Sequence, residues 1–332
     1  MPDELQARVH EVVQQTQERS GWGVRRVLAA LGVPRSTFYR WLRGKPAEVA
    51  TKPPPAPYEA LASEREATRR YALRHAELRH RELAWRMVDE DVAYLSPSTV
   101  YRILRTENLV CPWRRRTKRS RGEDEKAARS NQIWATDLKY VQVGGRHYYL
   151  ICFLDEYSRY IVHHELLRSM DSNAISTAAQ AALEKLPRDA GGQLLERPEI
   201  RSDNGSGYIS REFGGVLDEH GLTHRRIRPH CPEENGVMER ANRTLGEALE
   251  DVTFDDYHGA VDHTTQVVRW YNEQRLHSAL GYLRPVDYYH GQPDELHEAR
   301  RVKMAAARHR RKEHNLGMRQ QSLPLHAVGA VA

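Results

Sequence analysis

Three acidic residues stand in sequence settings where a carboxylate can do chemistry. Asp137 lies inside the β-rich apolar run Trp134-Ala135-Thr136-Asp137-Leu138-Lys139-Tyr140, where a charged side chain is locally out of place. Asp203 closes a short predicted strand in Ser202-Asp203-Asn204-Gly205. Glu239 lies near the start of a predicted helix whose apolar stripe is Val237, Ala241, Leu245, Leu249 and Val252. Together they offer hard oxygen donors with no clustered His or Cys, a set suited to Mg²⁺ or Mn²⁺ rather than zinc. Each acid also has a plainer reading. Asp137 can pair with Lys139 or an arginine, Asp203-Asn204-Gly205 is an ordinary turn sequence, and Glu239, off its helix's apolar stripe, can be a solvated acid.

The segment that carries the acids alternates between strand and helix signals. Strands are expected over 133–143, 148–154 and 160–167, with Gly144-Gly145 turning the first pair, which gives a three-stranded antiparallel meander. A helix over 172–186, a strand around Ile200, a helix over about 210–220, a strand over 222–227 and helices after Glu233 complete the order βββαβαβα. That order places helices around a mixed sheet with one core, an α/β architecture.

Upstream the pattern is all-α. Leu5, Val9, Val12, Val13, Val24, Val27, Leu28 and Leu31 recur at helical spacing, broken by Gly21 and Gly32, and a basic helix after Pro34 carries Phe38, Trp41 and Leu42. This matches a helix-turn-helix. Five prolines between Pro46 and Pro57 favour an extended spacer. A second helical block follows from about Glu59 to Leu109, in which Ser96-Pro97 supplies an N-cap and a first-turn proline. An internal repeat joins the two blocks: Ser36 to Arg43 aligns without gaps to Ser98 to Arg105, identical at six of eight positions. Arg35, Ser36, Thr37, Arg40 and Arg43, and in the second copy Ser98, Thr99, Arg102 and Arg105, are the candidate contacts to phosphates or base edges. Arg114, Arg115, Arg116, Lys118, Arg119 and Arg121 then form an aperiodic basic run that suits a solvated linker, a tether along a phosphate backbone, or both. The tail from about Leu296 carries Arg300, Arg301, Lys303, Arg308, Arg310, Arg311 and Lys312 and is expected to be partly helical before fraying.

Composition agrees with a nucleic-acid partner. The 332 residues carry a net charge of +6, and the positive charge is clustered. A mean hydropathy of −0.75 and the absence of a long apolar run argue against a membrane span, and no signal-peptide core is evident near Met1. Three scattered cysteines, Cys111, Cys152 and Cys231, exclude a disulfide framework and a four-ligand zinc site, so a reducing, intracellular setting is expected.

The acids gain meaning from their spacing and flanks. Trp134 precedes Asp137 by three positions, Tyr208 follows Ser202-Asp203-Asn204-Gly205, Pro232 and Asn235-Gly236 precede Glu239-Arg240, and 35 residues separate Asp203 from Glu239. Further on stands Tyr271-Asn272-Glu273-Gln274-Arg275-Leu276-His277-Ser278-Ala279-Leu280-Gly281-Tyr282, with Pro285 beyond. These features resemble the DDE transposase and retroviral integrase superfamily, most closely its IS3-like insertion-sequence group. The resemblance covers about 131–290 strongly and the second helical block more loosely.

The resemblance implies a ribonuclease-H-like core, a five-stranded mixed sheet with flanking helices, preceded by all-α helix-turn-helix modules. It implies that Asp137, Asp203 and Glu239 are both catalytic and metal-binding. Two Mg²⁺ or Mn²⁺ ions about 3.5 to 4 Å apart are expected, with Asp137 shared between them. The implied function is an insertion-sequence transposase that binds the terminal inverted repeats of double-stranded DNA, cuts there and joins the ends to target DNA. It would act as at least a dimer in the cytoplasm, on the nucleoid. Among residues near the acids, Lys139, His230, Asn235, Arg240 and Arg243 are candidate DNA contacts, although Asn235 and His230 suit local turn or packing roles equally. Many insertion-sequence relatives carry Lys or Arg two helical turns past the glutamate; here that position is Gly246, so Arg240 or Arg243 is expected to substitute. The zinc-binding N-terminal domain of retroviral integrases has no ligands in this chain, which leaves end recognition to the helix-turn-helix units.

The expected organisation is a helix-turn-helix over 1–45, a Pro-rich linker over 46–58, a second helix-turn-helix over 59–112, a basic linker over 113–130, the catalytic core over 131–290 and a basic extension over 291–332. Two other functions fit parts of the pattern: a catalytically silent DNA-binding regulator derived from a transposase, and a ribonuclease-H-like nuclease without strand transfer.

Overall fold

Gly21 and Gly32 divide the N-terminal apolar period into three helices in the computed structural model, which describes residues 3–42, 55–110, 126–228, 232–250 and 252–322. Helices α1 (Asp3–Ser20), α2 (Val24–Ala30) and α3 (Arg35–Leu42) bury Val13, Val27, Leu28 and Phe38 together. Both glycines have positive φ, which suits the chain reversals they make. The chain divides into two compact units, 1–57 with 314–332, and 58–313.

In the second unit, α4 (Ala62–Arg74), α5 (His80–Asp89) and α6 (Pro97–Thr106) enclose their own core of Tyr71, Leu83, Met87, Leu95, Val100 and Leu104. Ser96 caps α6 by accepting the Thr99 N–H at 3.3 Å, with Pro97 in the first turn.

The sheet of the same unit has the order β3-β2-β1-β4-β5. Strands β1 (Ile133–Val143), β2 (Arg146–Asp155) and β3 (Ile161–Leu167) form the antiparallel meander. Strands β4 (Glu199–Ser202) and β5 (His224–Arg226) add in parallel after α7 (Ser172–Leu183) and α8 (Arg211–Glu219). Alternation along β1 assigns its two faces. Trp134 packs with Ile175, Phe213 and Leu217 on the α7–α8 side. Ala135, Val141 and Val143 pack with Met238, Ala241 and Leu245 of α9 (Gly236–Leu249) on the other. Asp137 pairs across the sheet with Cys152, so its carboxylate interrupts the α9-facing row of apolar side chains.

The Tyr271-Asn272 segment ends α10 (Tyr257–Glu273), and its role is structural. Asn272 Oδ1 accepts the Ile161 N–H and Nδ2 donates to Ile161 O, each at 2.9 Å, satisfying backbone groups of the edge strand β3. Trp134 Nε1 donates to Asn131 Oδ1 at 2.9 Å, and Tyr289, the last residue of α11 (Pro285–Tyr289), donates its hydroxyl to the same oxygen.

The helical part of the basic tail is long, and the rest of the expected tail lies outside the described residues. That part is one helix, α12 (Pro293–Ser322), continuous to the limit of the described residues. Arg300, buried, grips Asp89 through two nitrogens at 2.7 and 2.6 Å and donates to the carbonyls of Gly281 and Tyr282. Arg311, also buried, donates to Glu64 at 2.7 Å and to Tyr94 O at 3.1 Å. Lys303 pairs with Asp91, and Arg308 stacks on Tyr58. These residues show no apolar period because the faces they bury are made of arginine stems, with the charges neutralised by acids of α4, α5 and the following turn.

Candidate active site

Asp137 is held from two directions. Its Oδ1 accepts the Leu138 N–H at 2.9 Å and its Oδ2 accepts Nδ2 of Asn242, on α9, at 2.8 Å. It has no salt bridge with Lys139 or an arginine among the described residues, so the pairing considered for it does not form. Burial pushes the Asp137 carboxyl up to about 6, and the negative charges of Asp203 and Glu239 push the same way, against the two hydrogen bonds. Two acids distant in sequence therefore act electrostatically on the Asp137 carboxyl group.

Asp203 lies just past β4, and its Oδ1 accepts the Gly205 N–H at 2.9 Å, so the turn reading holds as well. Asn204 ties that turn to β5 by donating to Ile227 O at 2.9 Å. A Cβ on Gly207 would collide with Ile175 Cδ1, so only glycine lets the loop pass against α7 and turn Tyr208 into the core. The Tyr208 hydroxyl lies 3.1 Å from Thr136 Oγ1, and its pKa rises through burial and the charges of Asp137 and Asp203. Tyr208 thus fastens the Asp203 loop to β1 beside Asp137. Glu239 is exposed in the first turn of α9, off the buried face formed by Met238, Ala241, Leu245 and Leu249.

Among the described residues no three His, Cys, Asp or Glu side chains converge closely enough to hold a metal ion. The donor chemistry nonetheless fits a hard divalent cation. The acids supply oxygen ligands only, and their mutual repulsion, visible at Asp137, is what a divalent cation relieves. Asn242 was not singled out from the sequence. Its signal was its place three residues after Glu239, on the same helix face.

The candidate cations fall into three groups. Near the acids, Lys139 is half-buried, and Arg240 is depressed in pKa by burial and by the neighbouring charges of Arg243, Arg275 and Arg79. Arg79 and Arg275, absent from the sequence-based candidates, therefore belong to a shared electropositive surface. Asn235 is buried, and its Oδ1 has no hydrogen-bond partner.

In α6, Arg102 Nη2 donates to Thr99 Oγ1 at 3.2 Å and its Nε to Ser98 O, so Thr99 serves the helix's own first turn as well as any ligand. Arg105 is exposed there, and in α3 Arg35 and Ser36 are exposed with Thr37 half-buried. Arg43, Arg114, Arg115, Arg116, Lys118, Arg119, Arg121 and His230, and the side chain of Arg40, lie outside the described residues.

Comparison with known proteins adds the following. Residues 127–232 and 220–285 match two descriptions of the Integrase core domain, and residues 3–44 match the Homeodomain-like domain. The chain is 28% identical over 275 residues to the transposase InsK of insertion sequence element IS150 from Escherichia coli K12, covering 79% of this chain and 92% of that protein. It is 28% identical over 171 residues to the transposase of IS904 from Lactococcus lactis, covering 49% and 63% of the two chains. A structure of the HTLV-2 integrase catalytic core domain with magnesium aligns at a TM-score of 0.38 and 17% identity, over 50% of this chain and 100% of that one.

Proposed function

From the match to the Integrase core domain and the similarity to insertion-sequence transposases, we propose that this chain is such a transposase, which binds the terminal inverted repeats of an element and catalyses metal-dependent cleavage and strand transfer there. The observation that carries the reading is the Asp137 carboxyl, raised to about 6 by burial and by Asp203 and Glu239. A buried acid kept among like charges costs stability, and such arrangements belong to sites that bind a cation or move protons.

Asp137, Asp203 and Glu239 would hold Mg²⁺ or Mn²⁺, with two ions expected. When bound, the metal supplies the positive charge that activates an attacking oxygen and steadies a leaving one in phosphoryl transfer. Asn242 keeps Asp137 aimed toward α9, and Tyr208 fixes the Asp203 loop against β1. Arg240, Arg243, Arg275 and Arg79 supply positive surface for the DNA backbone. Helices α3 and α6, with Arg35 and Arg105 exposed, are the proposed end-reading elements, and the organisation from helix-turn-helix through core to basic extension is proposed as set out above. Pairing two DNA ends requires at least a dimer. No helix among the described residues is long and apolar enough to cross a membrane, and the proposed site of action is the nucleoid in the cytoplasm.

The test is an assay of full-length protein on labelled duplexes carrying the inverted repeats that flank its gene, with target DNA, in Mg²⁺ and in EDTA. Metal-dependent nicks and joined products support the proposal. Sequence-specific binding without chemistry would identify a regulator, and cutting without joining a nuclease.

A further inference from the structure

Gly246 stands in the middle of α9, where glycine costs about 1 kcal/mol relative to alanine. Its backbone is ordinary helix, so conformation does not explain it. Its surroundings do. A Cβ at this position would lie 2.7 Å from Lys139 Nζ and 3.1 Å from Lys139 Cε. The missing side chain is the space that the lysine head occupies.

The registers of strand and helix explain the meeting. Asp137 and Lys139 are two residues apart on one face of β1, a rise of about 6.6 Å. Asn242 and Gly246 are four residues apart on α9, a rise of about 6 Å. Asn242 bonds Asp137 and Gly246 seats Lys139, so the two elements run in step. Glu239, Asn242 and Gly246 share one stripe of the helix. The ammonium is thus placed about one turn along α9 from the contact that holds Asp137.

Lys139 has no hydrogen bond or ion pair among the described residues, although it is half-buried on the same face of β1 as Asp137. The Asp137 oxygens are already engaged by Leu138 and Asn242. A partly desolvated cation without a counter-ion, fixed beside a carboxylate site, has the form of a contact for an anion that arrives with the substrate. We propose that Lys139 grips a phosphate of the DNA strand to be cut, and that Gly246 is the seat that sets its position. The inference rests on the proposed function, and it locates on β1 the cation that sequence comparison led one to expect on α9.

The experiment measures metal-free binding of the full-length protein to labelled end duplex as a function of salt, with melting curves to confirm folding. Lys139→Gln should weaken binding similarly for end and unrelated sequences and reduce the slope of log affinity against log salt by about 0.9. Gly246→Ala should shift binding in the same direction by a smaller factor, because it displaces the ammonium. The relocated pair Lys139→Ala with Gly246→Lys should recover the slope. An unchanged slope in a folded Lys139→Gln protein, or no recovery in the relocated pair, overturns the role of Lys139. Metal-dependent cleavage by the wild-type protein, scored in parallel, separates that failure from failure of the transposase reading.

Discussion

The β1–α9 face and the α12 helix both concentrate charge, and they treat it in opposite ways. Along α12, Arg300 and Arg311 are buried and paired, to Asp89 and Glu64 and to backbone carbonyls. At the β1–α9 face, Asp137 is pushed up to about 6 with other acids adding to the shift, Lys139 has no ion pair among the described residues, and Arg240 lies among other arginines. Matched charge holds a fold together, whereas charge left in electrostatic conflict is stable only because the surrounding core tolerates it. The difference teaches which basic and acidic residues to assign to chemistry.

The comparison can be broken most sharply at Asp137. Asp137→Asn should lower metal-dependent cleavage by about three orders of magnitude or more, as expected when a metal-holding carboxylate is lost, while end binding in EDTA persists. Gel assays of the two activities check both halves.

The opposite region should fail by unfolding. Arg311→Ala leaves Glu64 without its partner in a largely buried pair, which should cost about 3 kcal/mol and lower the melting midpoint by roughly 5 to 10 °C. Cleavage measured well below that midpoint should persist.

A pH series sharpens the contrast. The folded-state pKa of Asp137, about 6, lies above the roughly 3.9 of an unfolded aspartate, so the native state binds this proton more tightly. The resulting stability is complete below about pH 4 and is lost as pH rises through 6. Asp137→Asn should therefore stabilise the protein at pH 7 to 8 by up to about 3 kcal/mol and lose that advantage at pH 4, as read from denaturant midpoints. Wild-type cleavage should fall on acidification through pH 6.

The smallest effect belongs to the solvent-facing side of α12. Arg301, paired with Glu298 at 2.6 Å but exposed, should be replaceable by alanine within about 0.5 kcal/mol.

Much of this contrast is legible in the sequence on one side only. The succession of strands and helices and the β1–β2–β3 meander can be read from alternation and turn residues, because β-strands and their turns leave local signals. The Ser96 cap of α6 is equally local. Asn242 and Gly246 have meaning only through β1, and a polar residue and a glycine on a helix carry no label for their cross-element partners. The α12 arginines mislead for the same reason: a buried, matched arginine and a solvated one have the same letter. Thr99 suits base contact by its type, yet its hydroxyl lies 2.9 Å from that of Ser96 and accepts from Arg102.

The most direct measurement compares Asp203→Asn, Arg311→Ala and wild-type protein on labelled end duplex with Mg²⁺, below the melting point of all three. The account predicts metal-dependent cutting by wild type and Arg311→Ala, and binding without cutting by Asp203→Asn. Undiminished cutting by Asp203→Asn would contradict the assignment of the acids to the chemistry.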